Sequence, residues 1–362
     1  CPQPLRPFLT ISPLLLLPEL FPPPVLSRPI DNKNAASLFS RNGTLERTAL
    51  LPDKSGGIIP SLFSVIFSHR RTSDMNTQRT FEYLIHGFFL LLGLVAVGCV
   101  LLITAYLVFS GLPAIREIGL ADFLFGDTWA STASEPRFGI LPFILTSIWG
   151  TAGAIALGVP VGFFTAVWLA KMAPVRVRRF MESAVSLLAG IPSVVYGLVG
   201  MLVLVPGIRS VFNVPDGASL LAAILVLAVM ILPSIIKVSM TALQAVPQEY
   251  EDASFALGAT SVETYFRVSV PAAKSGIAAS VVLGVGRAIG EAMAVMMVSG
   301  NVANMPSLFE SVRFLTSAVA SEMSYSSGLQ REALFSIALV LFFFILLINA
   351  SLNFFLKRGR EA

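Results

Sequence analysis

Six apolar stretches, most of them long enough to cross a bilayer, dominate this chain: residues 84–109, 140–170, 183–205, 218–236, 276–298 and 333–355. About 20 helical residues span the hydrocarbon core. The second stretch is long enough to tilt or to project beyond it. No alternation with a barrel period accompanies these stretches, so helices that satisfy their own backbone hydrogen bonds are the expected solution. Composition leads the same way. Of 362 residues, 55% are hydrophobic and 13% charged, whereas a soluble domain carries about 25% charged residues. The expected fold class is an all-α membrane protein with six transmembrane helices.

Lys and Arg in the flanks set the orientation. Arg70, Arg71 and Arg79 precede the first stretch, and Lys171, Arg176, Arg178 and Arg179 separate the second from the third. Lys237, Arg267 and Lys274 lie between the fourth and fifth, and Lys357, Arg358 and Arg360 follow the sixth. The alternate loops hold fewer: Arg116 and Arg137, then Arg209, then Arg313 and Arg331. Both termini are therefore expected in the cytoplasm. The net charge of +4 records this bias, and nucleic-acid binding is not expected.

Residues 1–74 differ from the remainder. Proline is scattered through LRPFLTISPLLLLPELFPPPVLSRP, which breaks helices, and the short Leu14 to Leu17 core cannot span a membrane. The features of a secretory signal are poorly formed. Met75 opens a run typical of a polytopic membrane protein. Residues 1–74 are expected to be a non-native or disordered extension, and 75–362 the transmembrane domain. Cys1 and Cys99 cannot make a disulfide framework. His69 and His86 stand apart from each other and from cysteine, so no metal site and no cofactor are expected.

Two ionisable residues interrupt the fifth stretch, in GRAIGEAMAVMMVSGN, residues 286–301. Each charge at the bilayer centre costs about 2.5–3.5 kcal/mol on insertion scales, so both require a partner or a task. In one continuous helix Arg287 and Glu291, four apart, share a face. One reading is an internal ion pair, although Arg before Glu is the less favourable order. The other makes Arg287 an oxyanion receptor, because a guanidinium is a planar fork that matches phosphate and stays charged when buried. Glu291 then either holds Arg287 in place or accepts a hydrogen bond from a protonated phosphate oxygen, which sulfate cannot donate. Gly284, Gly286 and Gly290 suit close packing of helices.

Between the fourth and fifth stretches lies a polar run, VPQEYEDASFALGATSVETYFRVSVP, residues 246–271. Residues 249–257 suit a short helix with its acids near the start, and Gly258 can end it. A second helical stretch, 261–268, is expected to stop at Pro271. Asp252-Ala253-Ser254, then Gly258, Val268 and Val270-Pro271, resemble the EAA loop of ABC importer permeases, with four size-conservative replacements. The GRA-x-GE-x-MAV run ending in GN is similar to the PstC-type permease subunit of the phosphate ABC importer.

That resemblance covers about residues 81–357. It implies the type I importer permease fold, six helices per subunit, and pairing with a PstA-like second permease. It also implies an ATP-binding subunit dimer, a soluble phosphate-binding protein, and residence in a bacterial inner membrane. Arg287 and Glu291 fall on the family's intramembrane charged pair in the substrate pathway. The polar loop becomes a coupling element to the ATPase, through Glu251, Asp252, Ala253, Ser254, Gly258 and Pro271. An amphipathic helix on the inner leaflet is the alternative for that loop, but it calls for more basic residues than Arg267 and Lys274 provide. No Walker loop is present, so ATP hydrolysis is expected on a separate partner and not in this chain. Other open readings are import of another oxyanion or a phosphonate, and a proton-coupled secondary transporter using Glu291. A membrane-embedded enzyme lacks any nucleophile-base or metal-ligand constellation.

Overall fold

The computed structural model describes the backbone of residues 59–361 and the side chains of 81–351 and 354. The expectations for residues 1–58, and for the side chains of Arg70, Arg71, Arg79 and the basic residues at 357–360, lie outside the described residues. Two compact units are present, one through Tyr83 and one from Leu84 to Ala362. The described part of the first is helical from Ile59, and everything below concerns the second.

The described residues are helical almost throughout. Helix α1 runs Ile59–Ile118 and α2 Leu120–Phe125. A two-residue antiparallel pair follows, β1 (Trp129–Ala130) with β2 (Arg137–Phe138). Helix α3 (Leu141–Val167) ends in a wide turn, Trp168–Met172, closed by the Ala173 N–H on the Trp168 carbonyl at 2.8 Å. Then come α4 (Val175–Gly190), α5 (Ser193–Val199), a second wide turn over Gly200–Leu204, and α6 (Val205–Phe212). Helix α7 (Leu220–Gln244) leads into the polar run of α8 (Gln248–Ala256) and α9 (Ser261–Thr264). A third wide turn, Tyr265–Ser269, joins α10 (Val270–Ala272) to α11 (Lys274–Ile289). The last helices are α12 (Met293–Val298), α13 (Leu315–Glu322) and α14 (Gly328–Glu361).

Among the described residues five helical stretches are long and apolar enough to cross a membrane: Phe81–Ile118, Leu141–Met172, Ser193–Phe212, Leu220–Gln244 and Gly328–Ser351. The bent pair Ser261–Ala272 and Lys274–Ile289 makes a sixth if counted as one span. Two expectations are corrected here. The third span starts at Ser193 and not near residue 183, because Ile191 is extended (φ −70°, ψ 128°) before Pro192. Proline disfavours helical backbone in the residue before it, so α4 becomes a separate helix. The fifth span is not continuous to residue 298, since α11 stops at Ile289 and α12 restarts at Met293.

Residues 220–232 of α7 are apolar on every side, and the helix accordingly sits in the centre. Ile231 and Ile235 are fully buried, held between α3 on one side and α11 on the other. Close approach on the α3 side requires glycine: a Cβ at Gly158 would lie 2.7 Å from Ile231 Cδ1, and one at Gly162 2.8 Å from Ile235 Cγ2. Pro233 is accommodated inside α7 without breaking it. Arg313, in the segment between α12 and α13, joins several elements. It donates to the Asn301 carbonyl from Nε and Nη2 at 2.9 and 2.7 Å and forms an ion pair with Glu322. Glu322 also accepts from Trp129 Nε1 at 3.3 Å and Gln330 Nε2 at 3.1 Å.

Candidate functional site: a broken helix and a pinned polar loop

Arg287 occupies the last turn of α11, half-buried and facing α7. One side-chain partner is present among the described residues: Nη1 donates to Ser234 Oγ at 3.4 Å, long for such a bond. The other guanidinium N–H groups are left without a protein acceptor there, an unusual state for a fork of five donors. Pro233 precedes Ser234 and places this hydroxyl one residue past the point where α7 lacks a backbone N–H.

Glu291 lies in the break between α11 and α12, so the expected shared helix face with Arg287 does not exist. No ion pair joins the two residues. The physical reason is local. Gly290 closes α11 by donating to the Gly286 carbonyl at 3.2 Å, and Glu291 then starts the next helix. Its Oε1 accepts from the Ala294 N–H at 2.9 Å, satisfying one of the donors that every helix start leaves free. Its backbone carbonyl accepts the Thr316 hydroxyl at 2.6 Å, which ties the break to α13. Oε2 has no protein donor among the described residues. Behind the break, Gly197 of α5 meets Ala294, where a Cβ would come within 2.9 Å of Ala294 Cα.

The polar run folds as an α8–turn–α9 unit. Gly258, at φ +86°, supplies the left-handed residue after α8, and its N–H reaches the Phe255 carbonyl at 2.9 Å. Thr260 and Glu263 form a capping box: Thr260 Oγ1 accepts from the Glu263 N–H at 3.4 Å, and Glu263 Oε2 accepts from the Thr260 N–H at 3.1 Å. These bonds hold the Glu263 carboxyl below the usual glutamate range. Helical backbone persists through Pro271 to Ala272, so the expected stop at Pro271 is corrected. The preceding wide turn absorbs the proline, and the chain instead bends by 72° at Ala273.

The two faces of α8 differ. Asp252, Ala253, Gly258 and Pro271 are exposed, and Asp252 accepts from Gln248 Nε2 at 3.3 Å. Tyr250, Phe255, Leu257 and, on α9, Val262 expose apolar surface; Leu257 is 90% exposed. Glu251 and Ser254, three apart, turn inward. Ser254 Oγ lies 2.9 Å from Thr264 Oγ1. Glu251 is 5% exposed, forms an ion pair with Lys171, and accepts the Ser269 hydroxyl at 2.7 Å.

Sequence reasoning missed Thr316 and Ser269, it noted Ser234 only as the neighbour of an intramembrane proline, and it read Lys171 as a flanking charge alone. A trace of Lys171's role was visible: its charge ends a long apolar span, and Glu251 shares an inward face with Ser254. Nothing in the sequence pairs residues 80 positions apart.

Residues 158–360 match the family model described as "Binding-protein-dependent transport system inner membrane component". Among curated proteins, the chain is 38% identical over 265 residues to the probable ABC transporter permease protein YqgH of Bacillus subtilis, covering 71% of this chain and 86% of that one. It is 35% identical over 256 residues to the phosphate transport system permease protein PstC of Pasteurella multocida, covering 65% and 79%. Among solved structures, an inward-facing MetNI methionine ABC transporter superposes with a TM-score of 0.50 at 18% identity, covering 61% of this chain and 95% of that one. That likeness extends to the fold.

Proposed function

Because this chain belongs to the family of binding-protein-dependent transport system inner membrane components, we propose that it is the permease subunit of an ATP-driven importer of inorganic phosphate. The observation that carries the substrate is Arg287: a permanent charge within a membrane span, held by a single long bond to Ser234, with its other donors free for an oxyanion. The similarity to proteins named as phosphate permeases supports the same anion. Glu291 Oε2, also without a protein donor, is placed to accept a hydrogen bond from a protonated phosphate oxygen.

The outer surface favours delivery by a soluble binding protein. Its cavity, of about 500 Å³, is lined by Glu117, Asp122 and Asp127 against the single cation Arg137, and such a lining does not concentrate anions. On the inner side, a dimer of ATP-binding subunits receives the exposed apolar face of α8 and α9. A PstA-like second permease completes the pathway in a bacterial inner membrane, with both termini in the cytoplasm. Import of another oxyanion or of a phosphonate remains the neighbouring reading. Proton-coupled transport through Glu291 is disfavoured, because one of its oxygens already caps α12.

Radiolabelled phosphate uptake tests this reading in cells that lack their own high-affinity system and carry the cognate partners. Wild type takes up phosphate, with sulfate and methylphosphonate as weak competitors. Arg287→Gln inserts, assembles and fails to transport. Normal uptake by that variant would remove Arg287 from the pathway, and stronger competition by sulfate than by phosphate would replace the substrate.

A further inference from the structure

The carboxylate of Glu251 gathers three segments that are far apart in the chain. It belongs to α8, in the cytoplasmic loop. Its ion-pair partner Lys171 sits in the wide turn that ends α3, and its hydroxyl donor Ser269 closes the wide turn that feeds α10 and α11. All three groups are withdrawn from water: the Lys171 and Glu251 side chains are 11% and 6% exposed, and Ser269 is fully buried. Val167, four residues before Lys171, and Ala273, four after Ser269, meet Leu243 of α7 in one buried apolar cluster.

Such a junction has mechanical consequences. An exposed ion pair yields to water when its partners separate, at little cost. A buried one cannot open without leaving a bare charge in a dry site, and removing one partner is strongly destabilising for that reason. A displacement of α8 therefore carries with it the inner end of α3 and the turn that leads through α10 to α11. Both elements lead to the intramembrane charge. Helix α11 holds Arg287 13 residues beyond Lys274, about 20 Å along the axis at 1.5 Å per residue. Helix α3 packs through Gly158 and Gly162 on α7, which carries the Arg287 partner Ser234.

We propose that Lys171 is a positioning residue of the transport cycle: its ion pair with Glu251 clamps α8, the end of α3 and the turn leading to α11 into one moving unit. Movement imposed on α8 thereby reaches the Arg287–Ser234 contact. The exposed residues of α8 face outward to a partner, whereas Lys171 works on the opposite face and touches neither partner nor substrate. This inference rests on the proposed function for its driving force, an ATPase engaging α8.

The test uses the full assembly in proteoliposomes: this chain, the second permease, the ATPase dimer and phosphate-loaded binding protein. Phosphate taken up per ATP hydrolysed is measured on assembled complexes. Lys171→Met should keep ATP hydrolysis and lower uptake per ATP by about tenfold, and the exchange Lys171→Glu with Glu251→Lys should restore most of it. An unchanged ratio in Lys171→Met overturns the proposal, as does a fall that the exchange leaves unrepaired. If Lys171→Met does not assemble, Lys171→Arg and Ser269→Ala decide. The first retains the charge and should couple normally, while the second removes one hydrogen bond from Glu251 and should lower the ratio about two- to threefold. A wild-type ratio in Ser269→Ala refutes the clamp. A wild-type assembly that takes up no phosphate refutes the proposed function instead, whatever the variants do.

Discussion

Glu291 discriminates between a helix cap and a proton carrier, and two substitutions separate them. In the structure its Oε1 accepts from the Ala294 N–H at 2.9 Å and so starts α12, a helix of six residues. Glu291→Ala removes that acceptor, and loss of a capping side chain costs about 1 kcal/mol, or roughly fivefold in the population of the correctly broken span. Glu291→Gln retains an amide oxygen at the cap, while its second oxygen becomes an NH2 donor, so the cost at the cap is about half as large and the population shift about twofold. Initial rates of phosphate uptake at matched membrane levels should follow this order: wild type, then Glu291→Gln, then Glu291→Ala. Backbone hydrogen exchange at Ala294, read in the purified complex, should rise in the same order. A proton carrier behaves differently, because Gln cannot ionise. Undisturbed exchange at Ala294 in Glu291→Ala would refute the capping argument, and abolished uptake in Glu291→Gln with the cap intact would assign the loss to the second carboxylate oxygen, as phosphate acceptor or proton carrier.

Three further outcomes are expected. Gly158→Ala should destabilise the packing of α3 on α7 by about 1–3 kcal/mol, since the new methyl meets Ile231 Cδ1 at 2.7 Å and Cγ1 at 2.8 Å; thermal unfolding in nanodiscs should show the cost reduced in an Ile231→Ala background, and an additive double variant would refute the clash. Arg313→Met leaves Glu322 with Trp129 and Gln330 alone, and because the pair is partly exposed a cost of about 1–2 kcal/mol, between surface and buried pairs, should appear as a lowered unfolding temperature. For Glu263, the Thr260 bonds depress the carboxyl pKa in the folded state; the contribution to stability is present above the unfolded glutamate pKa and is lost as pH falls through the lower folded value. Thr260→Val should move the Glu263 titration upward, followed by carbon NMR of labelled glutamate, and an unmoved titration would contradict the capping box.

Much of the fold was legible in particular residues. Gly258 marked the end of α8 because the left-handed position that closes a helix favours glycine. The acidic start of α8 and the apolar lengths of α3, α7 and α14 followed from dipole and bilayer arithmetic. Periodicity failed where a local event outweighed it. The run after Gly290 is as apolar as the run before it, so nothing in its hydropathy announces that Glu291 uses its carboxylate to begin a new helix. Pro271 was expected to act as a breaker, yet a helix widened just before it leaves room for the ring. In contrast Pro192 broke the chain as its chemistry requires, ten residues later than the apolar stretch suggested.

By itself the sequence determined the solvent and the class of structure: long apolar runs with few charges demand helices in a bilayer, and the polar run at 246–271 must lie outside it. It also determined which charges needed explaining, because a buried Arg287 is expensive wherever the chain places it. The tertiary structure decided the partners. Lys171 meets Glu251, Arg287 meets Ser234, and the Glu291 carbonyl meets Thr316. Such pairings depend on how helices distant in sequence cross, and crossing geometry is set by packing: Gly158 and Gly162 under the α7 isoleucines, and the 72° bend at Ala273. Local sequence encodes the surfaces that pack, while the contact itself exists only once both surfaces are folded.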